Sequence, residues 1–153
     1  MTNEEFVRLL SDAERSLYRV AKSILQNDED CADAIQSAIL NAFDKLDTLK
    51  QQKYFTTWLT RILINECYQM IRSRREQVPY EDYMENQESP GEQGEVYVAV
   101  MELEELYRMP FVLHYIEGYS VKEVASILEI SVSNVKIRLS RARGRLQDAL
   151  KGE

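Results

Sequence analysis

Apolar side chains recur at three- and four-residue steps over most of this chain, and such spacing places them along one face of an α-helix. The pattern predicts helices up to about residue 25, from residue 30 to 46 and from residue 55 to 74. Thr2-x-x-Glu5 and Ser11-x-x-Glu14 are capping-box patterns, which predict two helix starts near the N-terminus. Strand-like alternation does not persist anywhere, so we predict an all-α protein.

The helical pattern stops between Glu76 and Gly94. This stretch carries two of the three prolines and two of the five glycines, and it has few aliphatic side chains. Such a composition is typical of an extended linker. Helical periodicity resumes at about Glu95. We therefore predict two small helical domains, residues 1–75 and 95–153, joined by an acidic, flexible linker over residues 76–94.

The most specific pattern lies between Ser120 and Leu150. Ser120-Val-Lys-Glu123 is a further capping box and predicts a short helix, Glu129-Ile130 predicts a brief turn, and Ser131 can cap a longer second helix. Two helices joined by such a turn form a helix-turn-helix, whose second helix enters the major groove of DNA. A solvated amphipathic helix is the alternative for any basic helix, but the capped helix and tight turn before it favour DNA binding.

The distribution of charge along the chain is more informative about function than the net charge. The chain has 19 Lys and Arg against 26 Asp and Glu, a net charge of −7, which argues against indiscriminate nucleic-acid binding. Residues 76–107 nevertheless hold ten acids and no Lys or Arg, whereas residues 131–151 hold six bases and one acid. A smaller basic patch lies within residues 61–75. Two basic patches around an acidic segment are the first indication of function, because clustered bases are typical of nucleic-acid contacts.

A polar stripe accounts for part of the second patch. Four side chains at steps of four, three and four residues form one line along the predicted helix 55–74: Arg61, Asn65, Tyr68 and Arg72. Cations, amides and an aromatic ring on one line can hold backbone phosphates and bind unpaired bases. Plain solvent-exposed surface is an equally good interpretation of the stripe when it is considered alone.

In this order and spacing, the motifs resemble the extracytoplasmic-function (ECF) sigma factors, the small two-domain specificity subunits of bacterial RNA polymerase. The resemblance covers nearly the whole chain. It depends on four segments: Asp30–Gln36, Phe55–Ile62 followed by Asn65 and Arg72, Glu117–Ala125, and Ile130–Arg143.

The resemblance implies a role for each segment. One helix would dock on the clamp helices of the largest polymerase subunit through Asp33, Gln36 and Asn41. The loop over residues 47–54 and the helix after it would recognise and melt the minus-ten promoter element and capture a flipped base, through Lys50, Lys53, Tyr54, Arg61, Asn65, Gln69 and Arg72. The second helix of the helix-turn-helix would read the duplex minus-thirty-five element, through Ser133, Asn134, Lys136, Ile137, Arg138 and Arg141. The acidic linker would run toward the active cleft and the RNA exit channel.

The same resemblance implies the partners. These are core RNA polymerase, promoter DNA both as duplex and as melted single strand, and a membrane-associated anti-sigma factor. No apolar run approaches the length that spans a bilayer, so we expect a cytoplasmic chain without membrane insertion.

Two other classes of function explain less of this sequence. A dimeric helix-turn-helix regulator would explain residues 120–150 but not the polar stripe or the acidic linker. An enzyme has little support, because the sequence has no phosphate-binding loop, no His-Glu-x-x-His motif and no ligands to accompany the single His114. We therefore expect a non-catalytic protein without cofactor or metal.

Overall fold

In the computed structural model, the described residues are 1–77 and 94–152, with the backbone alone at 75–77. Every regular element among them is helical, which confirms the all-α prediction. The chain divides into two compact units, called unit 1 and unit 2, whose described parts are residues 1–77 and 94–152. The linker predicted over residues 76–94 lies almost wholly outside the described residues.

The described part of unit 1 contains three long helices that all pack against one another: α1 (Asn3–Leu25), α2 (Asp28–Asp44) and α3 (Phe55–Gln77). Two short 3₁₀ turns, Leu46–Thr48 and Gln52–Tyr54, connect α2 to α3. Where the sequence predicted a plain polar loop, the chain therefore folds into two ordered turns.

The start of α1 agrees with only one of the two capping-box patterns. The Thr2 hydroxyl accepts a hydrogen bond from the Glu5 amide at 3.1 Å, and the Glu5 carboxylate accepts one from the Thr2 amide at 3.2 Å. Ser11 lies inside α1 instead, so the second predicted helix start is wrong. The physical reason is that Phe6, Ala13 and Leu17 bury one continuous face, which a break at Ser11 would interrupt.

The core of unit 1 includes both cysteines. Cys31 on α2 and Cys67 on α3 are fully buried and not joined in a disulfide. Burial raises the pKa of the Cys67 thiol, and the nearby Cys31 thiol and Glu66 carboxylate raise it further. A thiol held neutral in this way packs as a small apolar side chain and is a poor nucleophile.

Unit 2 contains four helices within the described residues: α4 (Glu95–Glu102), α5 (Glu105–Phe111), α6 (Val121–Leu128) and α7 (Val132–Lys151). A π-helical turn, Val112–Ile116, continues α5 directly. It begins two residues after Pro110, whose ring removes one backbone donor and disturbs regular α-helical hydrogen bonding. The core that holds α7 in place is formed by Ala99, Val100, Leu103, Tyr107, Val112, Ala142 and Leu146.

Gly118 allows the chain to turn between the π-helical turn and α6, since its φ is +81°. Gly118→Ala is expected to destabilise unit 2 by about 1 kcal/mol, because a residue with a Cβ is strained at this φ although the space is open. Gly144→Ala is the matched control. It lies inside α7, also with open space, and should stabilise unit 2 by up to about 1 kcal/mol. Calorimetric unfolding of the full chain measures both, and changes of the same sign would contradict this account.

Candidate nucleic-acid interface

The helix-turn-helix in unit 2 forms as the sequence predicts. The Ser120 hydroxyl accepts from the Glu123 amide at 3.1 Å, and the Glu123 carboxylate accepts from the Ser120 amide at 2.9 Å, which starts α6. Glu129 ends α6 in a left-handed conformation, with φ 59°. Two residues later, the Ser131 hydroxyl accepts from the Asn134 amide at 3.0 Å and starts α7. Side-chain caps thus fix the boundaries of both helices.

Burial on one side of α7 determines which side chains face outward. Its buried stripe consists of Val135, Leu139, Ala142 and Leu146, which recur at steps of three and four residues. The six residues predicted for minus-thirty-five recognition lie on the remaining faces, exposed or half-buried, and we call them the recognition surface: Ser133, Asn134, Lys136, Ile137, Arg138 and Arg141.

Five of the six bases of α7 fall into two groups. The Arg143 Nη1 donates to the Tyr115 hydroxyl at 2.7 Å, and the Arg145 guanidinium lies 4.5 Å from the centroid of the Tyr107 ring. Within the described residues, by contrast, Lys136, Arg138 and Arg141 make no hydrogen bond or ion pair with another side chain. The net charge of residues 131–151 counts all six bases alike, whereas the guanidinium groups of Arg143 and Arg145 are held by contacts inside unit 2.

On unit 1, the predicted polar stripe lies on the solvent side of α3. Its members Arg61, Asn65 and Arg72 are exposed and Tyr68 is half-buried, and Gln69 beside the stripe is also exposed. The opposite side of α3 carries Leu59, Leu63 and Cys67, which are fully buried. The helix therefore holds the stripe on a rigid support.

Trp58 connects this helix to the turns before it. The ring is half-buried and packs against Phe55 with centroids 5.9 Å apart. Its Nε1 donates to the Thr48 hydroxyl at 3.2 Å, which ties the first 3₁₀ turn to α3. Trp58 thus combines a packing contact with a polar one.

The basic patch of residues 61–75 is smaller than its sequence indicates, because Arg74 is engaged inside unit 1. Its guanidinium donates to both carboxylate oxygens of Asp30, which is buried near the start of α2. The Asn27 side-chain amide also donates to Asp30, at 2.7 Å. This pair is not predictable from the sequence, because the helix dipole already explains a carboxylate in the first turn of a helix.

The two 3₁₀ turns between α2 and α3 enclose a pocket of about 380 Å³, lined by Met1, Leu46, Asp47, Leu49, Lys50 and Gln52. Beside it, the Lys53 ammonium lies 5.1 Å from the centroid of the exposed Tyr54 ring. Of the three predicted residues here, Lys50 lines the pocket, and Lys53 and Tyr54 directly follow its last lining residue, Gln52, along the chain.

A second concavity, called the α1–α2 groove, lies on another part of unit 1. It measures about 810 Å³, and its lining is mostly apolar with charged residues from α1: Glu14, Arg15, Tyr18, Arg19, Ala32, Ile35, Gln36, Ile39 and Leu40. Leu40 is 62% exposed although it is a large apolar side chain. An exposed apolar groove with a charged edge is typical of an interaction site.

Tyr18 is held in the wall of this groove by hydrogen bonding. Its hydroxyl donates to Asp28, which also accepts from the Lys22 ammonium at 2.8 Å. The hydrogen bond to Asp28, aided by burial, raises the pKa of Tyr18 to about 12. The bonds from Lys22 and Tyr18 lower the pKa of the Asp28 carboxyl. The network therefore contains a neutral phenol and an ionised carboxylate at neutral pH.

The structure brings together two of the three residues predicted to bind the polymerase. Gln36 lines the α1–α2 groove, and Asp33 is exposed one helical turn before it. Asn41 lies on a different side of α2, where it is half-buried and donates to the Glu66 carboxylate of α3. The helical periodicity explains this separation, because residues five apart do not share a face.

Two other kinds of site are absent from residues 1–77 and 94–152. None of their helices has the length and apolar character needed to cross a membrane. These residues also contain no cluster of His, Cys, Asp and Glu suited to a metal ion. The single histidine, His114, has its Nδ1 2.7 Å from the carbonyl oxygen of Tyr119.

Comparison with known proteins gives matches to both units. The family model described as Sigma-70 region 2 matches residues 9–77, and the model described as Sigma-70, region 4 matches residues 93–146. The ECF RNA polymerase sigma factor SigM of Mycobacterium tuberculosis is 31% identical over 147 residues, covering 92% of this chain and 74% of SigM. SigW of Bacillus subtilis is 25% identical, covering 97% of this chain and 90% of SigW.

Solved structures agree with these relatives. The sigma factor RpoE of Bartonella quintana, in complex with the anti-sigma factor NepR, is 27% identical with a TM-score of 0.83, covering 97% of this chain and 98% of that one. CnrH, in complex with the cytosolic domain of CnrY, has the same identity and a TM-score of 0.74, covering 97% and 88%.

The chain belongs to the ECF family of RNA polymerase sigma factors, and it directs transcription initiation as a sigma factor of that type. The resemblance drawn from the sequence is confirmed. The boundaries predicted for the two domains and the roles predicted for individual residues stay predictions.

Proposed function

We propose that this sigma factor divides promoter recognition between its two units. Unit 1 would bind core RNA polymerase and the melted minus-ten element, and unit 2 would read the duplex minus-thirty-five element. The observation that carries the proposal is that each unit holds a polar, basic surface on the outer side of a helix whose opposite side is buried. Such surfaces suit contacts to phosphates and to base edges.

The α1–α2 groove supports the assignment of the polymerase contact. Amphipathic helices bind apolar grooves by inserting side chains from one face. A clamp helix of the largest polymerase subunit would lie along Ile35, Ile39 and Leu40, with Asp33 and Gln36 forming polar contacts at the edge. Asn41 would support this surface indirectly, through its hydrogen bond to Glu66 on α3.

Truncation of Leu40 tests this contact. Leu40→Ala is expected to weaken binding to core polymerase about fivefold, because apolar area that the partner would cover is lost. Val96→Ala in unit 2 is the matched control, since Val96 is similarly exposed at 57%. Fluorescence anisotropy of the labelled full chain against core enzyme measures both, and equal effects would contradict the docking assignment.

For the minus-ten element, the pocket between the two 3₁₀ turns supports capture of a single flipped base. The Asp47 carboxylate and Gln52 amide offer hydrogen-bonding groups for the edge of a base, and the exposed Tyr54 ring offers a surface for stacking. The remaining predicted residues would hold the strand and contact its bases: Lys50, Lys53, Arg61, Asn65, Gln69 and Arg72.

The partners and class of the protein follow from its relatives. Because RpoE was solved with NepR and CnrH with the cytosolic domain of CnrY, an anti-sigma factor is proposed as a partner of this chain. As a specificity subunit, the chain would act in the cytoplasm and leave bond formation to the catalytic subunits of the polymerase.

Run-off transcription with bacterial core polymerase and a promoter library tests the division of roles. Initiation at a defined set of promoters should require the chain. Arg61→Ala should impair opening of the minus-ten element, and Arg138→Ala should impair use of the minus-thirty-five element. If neither variant alters promoter choice or opening, the residue roles are wrong. If the chain binds duplex DNA alone as a dimer, without core enzyme, the polymerase contact on unit 1 is wrong as well.

A further inference from the structure

Ile137 is an apolar exception on the recognition surface. The side chain is 49% exposed and follows Lys136 and precedes Arg138 in the chain, with Arg141 one turn further along α7. It lies on the side of α7 away from the buried stripe and does not belong to the core cluster of unit 2. Its exposed apolar area therefore contributes little to the packing of the fold.

A β-branched side chain has no local advantage at this position. Isoleucine is a weaker helix former than Lys, Arg or Gln, and exposed apolar surface is unfavourable in water. Its stiff χ1 torsion, however, means that little side-chain entropy is lost when a partner covers it. An exposed, rigid, apolar group surrounded by cations is suited to an apolar feature on an anionic partner.

The major groove of DNA offers such a feature. The second helix of a helix-turn-helix presents its N-terminal part to the base edges, and Ile137 lies within the first two turns of α7. Among the groups that the four bases present in this groove, the C5-methyl of thymine is the apolar one. Lys136, Arg138 and Arg141 would bring Ile137 close to the bases by contacting phosphates and polar base edges.

We propose that Ile137 is a specificity-determining residue that contacts the C5-methyl group of one thymine in the minus-thirty-five element. This inference rests on the proposed role of α7 in reading that element. It adds a distinct chemical requirement, since the methyl group itself, and not only the base pair, would be recognised.

The test begins with selection of promoters by the complete holoenzyme. Core polymerase with the full chain transcribes a library whose minus-thirty-five region is randomised, and the enriched sequences are compared for wild type, Ile137→Val and Ile137→Ser. Wild type and Ile137→Val should enrich thymine at one shared position. Ile137→Ser should lose that preference there while keeping the preferences at other positions.

Removal of the methyl group alone gives the decisive measurement. Deoxyuridine in place of the selected thymine keeps the base pairing and removes only the C5-methyl. It should weaken holoenzyme binding to the promoter about fourfold for wild type, the factor expected for burial of one methyl-sized group, and should have no effect for Ile137→Ser. With cytosine at the same position, 5-methylcytosine should restore part of the binding for wild type only.

Two results separate the inference from the proposal on which it rests. In the first, wild type selects a minus-thirty-five sequence, but replacing any of its thymines by deoxyuridine affects wild type and Ile137→Ser equally. The methyl contact is then wrong, and the role of α7 stands. If the enriched promoters show no sequence preference in this region for wild type, the proposed role of α7 is wrong, and the inference is overturned with it.

Discussion

Arg74→Ala is expected to lower the free energy of unfolding of unit 1 by about 2–3 kcal/mol, because it leaves the buried Asp30 carboxylate with an unpaired charge. Loss of one partner from a buried ion pair costs about 3–5 kcal/mol. The expected value is lower because the Arg74 side chain is itself 37% exposed and Asn27 still donates to Asp30. Solvent screening reduces the contribution of a partly exposed pair.

Trp58 provides a direct signal for this measurement. It is the single tryptophan of the chain and lies in α3, so its fluorescence follows the unfolding of unit 1 in urea. Arg72→Ala is the matched control, because Arg72 is exposed on the same helix and should change stability by less than about 0.5 kcal/mol. Equal destabilisation by the two variants would contradict a specific role for the Arg74–Asp30 pair.

A second substitution isolates the pair itself. Asp30→Asn removes the charge that Arg74 neutralises, so Arg74→Ala should cost less in an Asp30→Asn background than in wild type. The difference between the two costs measures the coupling energy between the side chains, and contacting residues typically couple by about 0.5–3 kcal/mol. A coupling energy near zero would mean that Arg74 stabilises unit 1 through packing and not through its charge.

Arg74 also illustrates what could be predicted from the sequence. Helical periodicity located the helices and their buried faces, because each depends on residues three and four apart. The partner of Arg74 is Asp30, 44 positions away along the chain, and no local pattern connects them. Ser11 shows the reverse case, in which a local capping pattern was overridden by burial of a continuous apolar face.

The concave sites of unit 1 could not be predicted for a related reason. The pocket between the two 3₁₀ turns requires Met1 to lie near Leu46 and Gln52, and the α1–α2 groove requires two helices to leave a gap between them. Both depend on tertiary packing. The sequence identifies Lys50 and Gln36 as candidates, but only the packed structure shows that each of them lines a cavity.

The bases of α7 differ in how readily they can bind DNA. The sequence indicated a uniformly basic helix, whereas side-chain contacts separate Lys136, Arg138 and Arg141 from Arg143 and Arg145. An arginine engaged with an aromatic ring or a hydroxyl must give up or share that contact to bind phosphate. DNA contacts should therefore concentrate at the N-terminal part of the helix, where helix-turn-helix proteins meet the bases.

Arg141→Ala is expected to reduce promoter-specific initiation by about 10- to 100-fold, the range for loss of one arginine contact to DNA. Arg145→Ala is the matched control on the same helix. Its ion pair with Glu104, at 3.5 Å, joins two exposed side chains and contributes little to stability. Initiation with Arg145→Ala should stay within about twofold of wild type, and an equal loss for both variants would contradict the division of α7 into two groups of bases.

Arg141→Lys then distinguishes between the two kinds of contact that Arg141 could make. Lysine keeps the positive charge but cannot form the bidentate hydrogen bonds by which a guanidinium reads a base edge. If Arg141 contacts phosphate, Arg141→Lys should recover most of the initiation lost in Arg141→Ala, with promoter preference unchanged. If Arg141 reads a base, Arg141→Lys should recover little and should relax the preference at one position of the minus-thirty-five element. The geometry favours the second result, because Arg141 lies on the same outward side of α7 as Ile137, one helical turn away.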